Sequence, residues 1–212
     1  MSRMLAIKFW KTANLRLSEK AAKFARFIFL IRLLKVDTVI CYDPWAPYEN
    51  NPDHYITARA VEAAITPAAA KDYPEQLEVV QPHWVAEKYF FTRRGPQHVN
   101  RIVDISSFID KKVEANIVNV TQGPAGNRGS LLRQRLAAQG KRLPILGDDD
   151  RSADFNYIKH FVLDIDSPAL RLCPSDKEIG EKYGLDWAER FHYIGRTPSR
   201  LNDYIQQHAV SV

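Results

Sequence analysis

An α/β fold with a mostly parallel sheet is predicted by three observations. Short β-branched or aromatic runs bounded by turn residues stand at Val36–Tyr42, Trp84–Thr92 and Val99–Ile105. Helical patterns separate these runs, as expected where helices cover the faces of a parallel sheet. A strong helix start, Asn51-Pro52-Asp53, follows the first run closely, and the carboxyl edge of such a sheet is where ligands bind.

The elements follow in order. Residues 1–17 show no clear pattern. Ser18 caps a helix over Glu19–Leu34, with Phe24, Phe27, Ile28 and Ile31 on one face and Phe29, Leu30 and Leu33 over much of the other. A helix apolar nearly all round is buried on two sides or has lost a neighbour. Val36–Tyr42 is a buried strand, with Cys41 as a small core residue. At the next helix Asn51 is the cap, Pro52 the first helical residue and Asp53 an acid at the positive end of the dipole. That helix continues through Ile56, Ala60, Val61 and Ala64 and carries His54 in its first turn. Strands follow at 84–92 and 99–105. Ser107-Phe108-Ile109-Asp110 then reads as a capping box for a helix bearing Ile109, Val113 and Ile117 on one face.

Beyond Gly123-Pro124-Ala125-Gly126 the character changes. A short basic helix over Leu131–Ala138 ends at Gly140, and Gly147-Asp148-Asp149-Asp150 reads as loop. Helical pieces are predicted at Phe155–Leu163, Asp176–Tyr183, Trp187–Tyr193 and Ser199–Gln207. There is no internal repeat. Residues 1–212 are read as one domain, with 123–212 a helical elaboration on its core.

Composition narrows the function classes. The 212 residues are 45% hydrophobic and 26% charged, ordinary for one globular domain with a sizeable core. A net charge of +5 suits an anionic partner without demanding one. A nucleic-acid-binding reading would rest on pI and scattered arginines alone, with no helix-turn-helix, zinc-finger or aromatic-platform signature. The apolar run Phe24–Leu34 is shorter than the roughly 20 residues of a spanning helix and contains Arg26 and Arg32, so no membrane segment is expected. No signal-peptide pattern is present. Cys41 and Cys173 have neither metal-ligand spacing nor the density of a disulfide scaffold, which makes a reducing cytoplasm the expectation.

Several stretches then line up as an ordered series: Val36-Asp37-Thr38-Val39-Ile40, Tyr42-Asp43-Pro44-Trp45, Asn51-Pro52-Asp53-His54, Gln81-Pro82-His83-Trp84-Val85, Val103-Asp104-Ile105-Ser106, Ile109-Asp110 with Lys112, and Thr121-Gln122. This series, over residues 24–122, resembles the C-terminal part of the PIG-L/LmbE family of metal-dependent N-deacetylases. The resemblance implies a Rossmann-like three-layer fold and hydrolysis of an N-acetyl group on an amino sugar or related small molecule. It implies a Zn²⁺ ion, or another divalent metal, held by a His and an Asp of an N-terminal His-Pro-Asp-Asp motif and by the position occupied here by His54. Three protein ligands with one open water position are what catalytic zinc requires, and the ion lowers the pKa of its water to about 7.

The chain departs from that pattern in two places. It has no His-Pro-Asp-Asp, and before Asp37 it has no Asp and no His. The family's first strand and ligand loop are therefore expected to have no counterpart, leaving a truncated N-terminal unit, a bare strand edge and a tendency to form a homo-oligomer. Asn51 stands where the family often has a His that stabilises the oxyanion; its amide oxygen can cap the helix while its NH₂ donates a hydrogen bond.

Each candidate residue carries a plainer reading beside the sharp one. His54 is a metal ligand or a polar residue of a first helical turn, and Asp53 a dipole residue or a ligand. Asp43 lines a pocket or makes a turn before Pro44. Trp45 and Tyr48 stack on a sugar, or Trp45 is buried. His83, His160 and His192 read as packing histidines, and Asp148-Asp149-Asp150 as a solvated loop rather than a cation site. Arg93, Arg94, Arg133, Arg135, Lys141 and Arg142 are surface charges that converge on a substrate phosphate or uronate only if the fold brings them together. The leading function is a zinc-dependent N-deacetylase acting on a small N-acetylated sugar-like substrate, incomplete as this chain. The alternative is a non-catalytic descendant that binds a sugar or nucleotide-sugar.

Overall fold

The computed structural model describes residues 4–6, 17–47, 49–92, 97–121, 126–165, 174–195 and 200–211. It is a Rossmann-like α/β protein. The chain forms two compact units, one of residues 1–92 with 192–212 and one of residues 93–191.

In the first unit three strands lie parallel and side by side: β1 (Met4–Ala6), β2 (Thr38–Tyr42) and β3 (Glu87–Phe91), with Met4 opposite Thr38 and Thr38 opposite Glu87. The edge of β2 expected to lie bare is thus taken by β1, a strand too short to leave a pattern in the sequence. The end of β5 (Ala188–Ile194) belongs to this unit, with the Tyr193 ring 4.8 Å from that of Tyr89.

Helix α1 (Leu17–Leu34) connects β1 to β2, and α2 (Pro52–Ala69) lies between β2 and β3. Two successive parallel crossovers of the usual right hand put both helices on one sheet face, and the two pack together. Ile28 and Ile31 of α1 are buried with Val39, Cys41, Val61, Ile65 and Phe90, whereas Leu30, Leu33 and Leu34 are exposed. The all-round apolar helix therefore buries one face only.

One charged residue sits inside this interface. Arg32 is 1% exposed. Its guanidinium donates to the carbonyl oxygens of Ala68 (3.1 Å), Pro67 (2.8 Å), Ala70 (3.1 Å) and Asp72 (2.8 Å), and to Oε1 of Gln76 (3.2 Å). The last carbonyls of a helix lack intrahelical partners and carry the negative end of its dipole. Pro67 and the one-turn helix α3 (Pro74–Leu77) help crowd these acceptors together. A buried charge is tolerable only when its hydrogen bonds are satisfied, and here the fork geometry of arginine satisfies them. Gln76 Nε2 returns a bond to Ala25 O (2.9 Å), tying α3 to α1.

In the second unit β4 (Arg101–Asp104) pairs antiparallel with the start of β5, Arg101 opposite Phe191 and Asp104 opposite Ala188. The helix predicted at Trp187–Tyr193 is thus a strand: pairing with β4 and the aromatic run Phe191-His192-Tyr193 outweigh the helical spacing of Trp187 and Phe191. The predicted Ser107 capping box does not form. Phe108 takes the cap position of α4 (Ile109–Ile117) without a side-chain bond. Asp104 instead accepts from Ser106 Oγ (2.6 Å) and Ser106 N (2.9 Å), bonds that hold its carboxyl below the ordinary value.

Helix α5 (Arg128–Ala137) packs on α6 (Asp150–Tyr157), which runs into a π-helical stretch, Ile158–Ile165, carrying His160. The approach is close: a Cβ on Gly129 would fall 1.9 Å from Ala153 O. The acidic run is loop as expected through Asp149, which caps α6 by accepting from Ser152 N at Oδ1 (2.9 Å), and only Asp150 enters the helix. A capping box forms where none was read, with Ser175 and Glu178 at the start of α7 (Asp176–Lys182). Lys112 bridges α7 and β5 through Asp176 and Glu189. Ile109, Val113, Ile158, Leu163 and Trp187 form this unit's core. The C-terminal helix α8 (Arg200–His208) returns to the first unit with all its residues exposed. No described helix is long and apolar enough to cross a membrane.

Two outcomes follow. Arg32→Ala removes one donor from each of four carbonyl oxygens, of which those of Pro67 and Ala68 keep a backbone donor from Ala70 N and His83 N, and lowers unfolding free energy by about 2 kcal/mol, read from urea denaturation; Arg32→Lys recovers only part, because one ammonium cannot span the cage. Burial pushes the Cys41 thiol up to about 11. Because that value lies above the unfolded one, the stability from keeping the thiol neutral is whole below the unfolded pKa and is lost as pH rises towards 11. In a Cys173→Ser chain, the Cys41 thiol should resist labelling by a disulfide reagent near pH ~8 until the protein is unfolded; labelling at a free thiol's rate would contradict its burial.

Candidate functional site

The site is built at the carboxyl end of β2, within the first unit. The strand delivers Tyr42 and then Asp43, which is 4% exposed. Asp43 Oδ1 accepts from Trp45 N at 2.9 Å, so the carboxylate makes the turn around Pro44. The same Oδ1 lies 3.9 Å from Nδ1 of His192, at the end of β5. The His192 ring sits 5.5 Å from that of Trp45 and 5.9 Å from that of Phe90. Trp45 stands edge-on to Phe90 at 5.7 Å and is 54% exposed. Of its two sequence readings, burial is therefore overturned: the turn lifts the indole off the core and leaves a face open to solvent. Tyr48 lies outside the described residues.

The second half of the site is the entrance to α2. Asn51 is the N-cap and its Oδ1 accepts from Asp53 N at 3.0 Å, with Pro52 in the first turn. This geometry puts His54 over the strand end, its ring stacked on Tyr42 at 4.1 Å with an 11° interplanar angle. Phe91 meets Tyr42 from β3 at 5.8 Å. Glu49 orders the loop before the cap: its Oε1 accepts from Asn51 N at 3.0 Å, and its Oε2 lies 3.2 Å from His54 Nδ1. That nitrogen is shielded from solvent, and its approach to Glu49 is an electrostatic contact that lacks hydrogen-bond geometry. A carboxylate against Nδ1 favours the proton there in the neutral ring and leaves the Nε2 lone pair as the ligating or accepting atom.

The structure thus brings Asp43, Trp45, Asn51 and His54 around one sheet end and adds Tyr42, Glu49 and His192, which sequence reasoning did not single out as functional. Glu49 precedes the cap by two residues, and an acid there was the readable signal. His192 was hidden by the helical reading of its strand. His83 lies elsewhere: its Nε2 is 3.4 Å from Asp37 Oδ1, at the opposite end of β2. His160 belongs to the second unit. The basic residues also part company, since Arg133 pairs with Asp150 and Arg142 with Asp148, while Arg93 and Arg94 lie outside the described residues.

A catalytic zinc needs three protein ligands. Among the described residues no three His, Cys, Asp or Glu side chains are grouped to hold a metal ion. His54 offers one imidazole, and the described donors do not fit the complete ion site.

No protein-family model matches the chain. Among solved structures it is similar to the N,N'-diacetylchitobiose deacetylase from Pyrococcus horikoshii, with a TM-score of 0.51 and 20% identity over 89% of this chain and 60% of that one. It is also similar to a 4-carboxy-2-hydroxymuconate hydratase from Pseudomonas putida (TM-score 0.49, 14% identity, 85% of this chain and 61% of that one). A conserved protein from Thermus thermophilus gives a TM-score of 0.48 at 17% identity, over 84% of this chain and 62% of that one. The chain thus spans about three-fifths of the length of the structures it matches. The first likeness establishes the shared fold.

The Glu49–His54 arrangement has a direct readout. Long-range proton–nitrogen NMR of histidine-labelled protein should show neutral His54 protonated on Nδ1, and Glu49→Ala should return it towards the Nε2-protonated form that free imidazoles favour. An Nε2-protonated ring in the intact chain would contradict the geometry.

Proposed function

We propose that this chain acts on an N-acetylated amino sugar through a PIG-L/LmbE-type N-deacetylase site, to which the described residues contribute the sugar-facing wall and one imidazole of the metal side. The observation that carries this reading is His54. It stands in the first turn of α2 at the carboxyl end of β2, with Nδ1 against Glu49 and its ring stacked on Tyr42. An imidazole oriented by a carboxylate and an aromatic face is prepared to present Nε2 to a ligand.

The other residues take roles that fit a sugar. The open face of Trp45 offers a platform for the apolar face of a pyranose ring. Asp43 and His192, 3.9 Å apart, offer polar groups beside that platform. Asn51 uses Oδ1 for the helix cap, so a bond to the acetamido carbonyl comes from its Nδ2. The fold shared with a diacetylchitobiose deacetylase makes a β-linked N-acetylglucosamine unit the first ligand to try. A second reading, sugar binding without hydrolysis, is favoured by the donor count: two of the three metal ligands of the family pattern have no counterpart among the described residues.

The full chain is titrated with N-acetylglucosamine and diacetylchitobiose, following tryptophan fluorescence for binding and free amine for hydrolysis, with and without added Zn²⁺. Binding should weaken about tenfold in Trp45→Ala. Amine release abolished by His54→Ala supports the deacetylase, and binding without amine release selects the second reading. Neither binding nor release at millimolar sugar overturns both.

A further inference from the structure

The second unit holds a concavity that none of the sugar chemistry uses. Its volume is about 330 Å³ and it is lined by Arg128, Leu131, Leu132, Arg135 and Tyr157. Four of these residues stand on α5 at relative positions 0, 3, 4 and 7, so they share one helix face. At this spacing a globular helix usually presents an apolar stripe to the core. Here the stripe is two leucines bracketed by two guanidiniums, and Leu131 is 54% exposed.

The reason lies in how α5 docks. It meets α6 through its other side. Gly129 allows the close approach to Ala153, Ser130 N donates to Asp154 Oδ1 (2.7 Å), and Arg133 bonds Asp150 Oδ1 (2.5 Å). The neighbouring acids are thereby occupied: Asp148 by Arg142, Asp149 by Ser152, Asp150 by Arg133 and Asp154 by Ser130. Neither Arg128 nor Arg135 has a carboxylate partner among the described residues. Two unneutralised arginines, whose backbones stand about 10 Å apart along the helix axis, thus flank an apolar floor beside an aromatic ring.

We infer that this concavity is a binding site for a small organic dianion whose two acidic groups are separated by an apolar body. Each guanidinium takes one acidic group through paired N–H donors, the mode in which arginine binds carboxylate or phosphate most strongly. Leu131, Leu132 and the Tyr157 ring take the body between. The volume falls at the low end of ordinary ligand sites, which suits a linear dicarboxylate or a short aryl phosphate carrying a second acid. The inference is independent of the sugar site, because every residue it uses belongs to the second unit.

The test uses the full chain with suberate, a linear α,ω-dicarboxylate, as the long probe and succinate as the short one, followed by amide-shift NMR at low salt. Saturable shifts confined to α5 and the Tyr157 region are expected for suberate, with affinity at least about fivefold above that for succinate. Arg128→Gln and Arg135→Gln should each weaken suberate about tenfold. Leu131→Asp should abolish the preference for the longer probe, while α5 and α6 remain helical by their backbone shifts. No saturable shift, equal affinity for both probes, or unchanged affinity in both glutamine variants would overturn the proposal. Retained sugar binding or amine release in the glutamine variants keeps this outcome separate from that of the first unit's site.

Discussion

The cage around Arg32 is the constraint on which the first unit's geometry rests. A permanently charged group has been taken out of water, which costs heavily unless every donor is used. All three of its nitrogens find acceptors: four backbone carbonyls and the Gln76 side-chain oxygen lie at 2.8–3.2 Å. The cage ties the end of α1 to the end of α2 and to the chain leading into α3. Because α2 is a rigid rod, holding its C-terminal end also sets where its N-terminal turn stands over β2. The position of His54 thus depends on a residue some two dozen positions from it in sequence and at the other end of its helix.

At that N-terminal end the governing device is a carboxylate beside each imidazole. Glu49 stands against His54 and Asp43 stands near His192. Each acid also accepts a backbone N–H of its own loop, Asn51 N for Glu49 and Trp45 N for Asp43. The loops are therefore ordered by the same carboxylates that stand beside the rings. Losing either acid would free a backbone N–H of its loop and remove the negative charge beside the ring.

The second unit is organised by a different distribution of charge. Lys112 gathers Asp176 and Glu189, joining α4, α7 and β5, while the acids around α6 are each engaged by a cap or a guanidinium. Such pairing leaves the sign of the unpaired remainder to decide what the surface attracts. On α5 that remainder is positive and is framed by leucine and tyrosine.

Much of the frame was legible in the sequence. Asn51-Pro52-Asp53 determines its helix start locally, through a cap side chain, a proline fitted to the first turn and an acid at the dipole, and the structure follows it. The strands β2, β3 and β4 and the helices α1, α2, α4, α5, α7 and α8 fall near their predicted places, because periodicity and turn residues act over a few positions, whereas the helix predicted from Phe155 begins five residues earlier, just after its Asp149 cap. Strand β1 and the strand character of Ala188–Ile194 were not legible, since both exist through pairing with distant partners. The open face of Trp45, the approach of His192 to Asp43 and the burial of Arg32 likewise depend on residues far apart in the chain. Residue types and local caps set which groups could do chemistry; only tertiary packing chose which of them meet, because side-chain contacts between elements carry no signature in the spacing of either element alone.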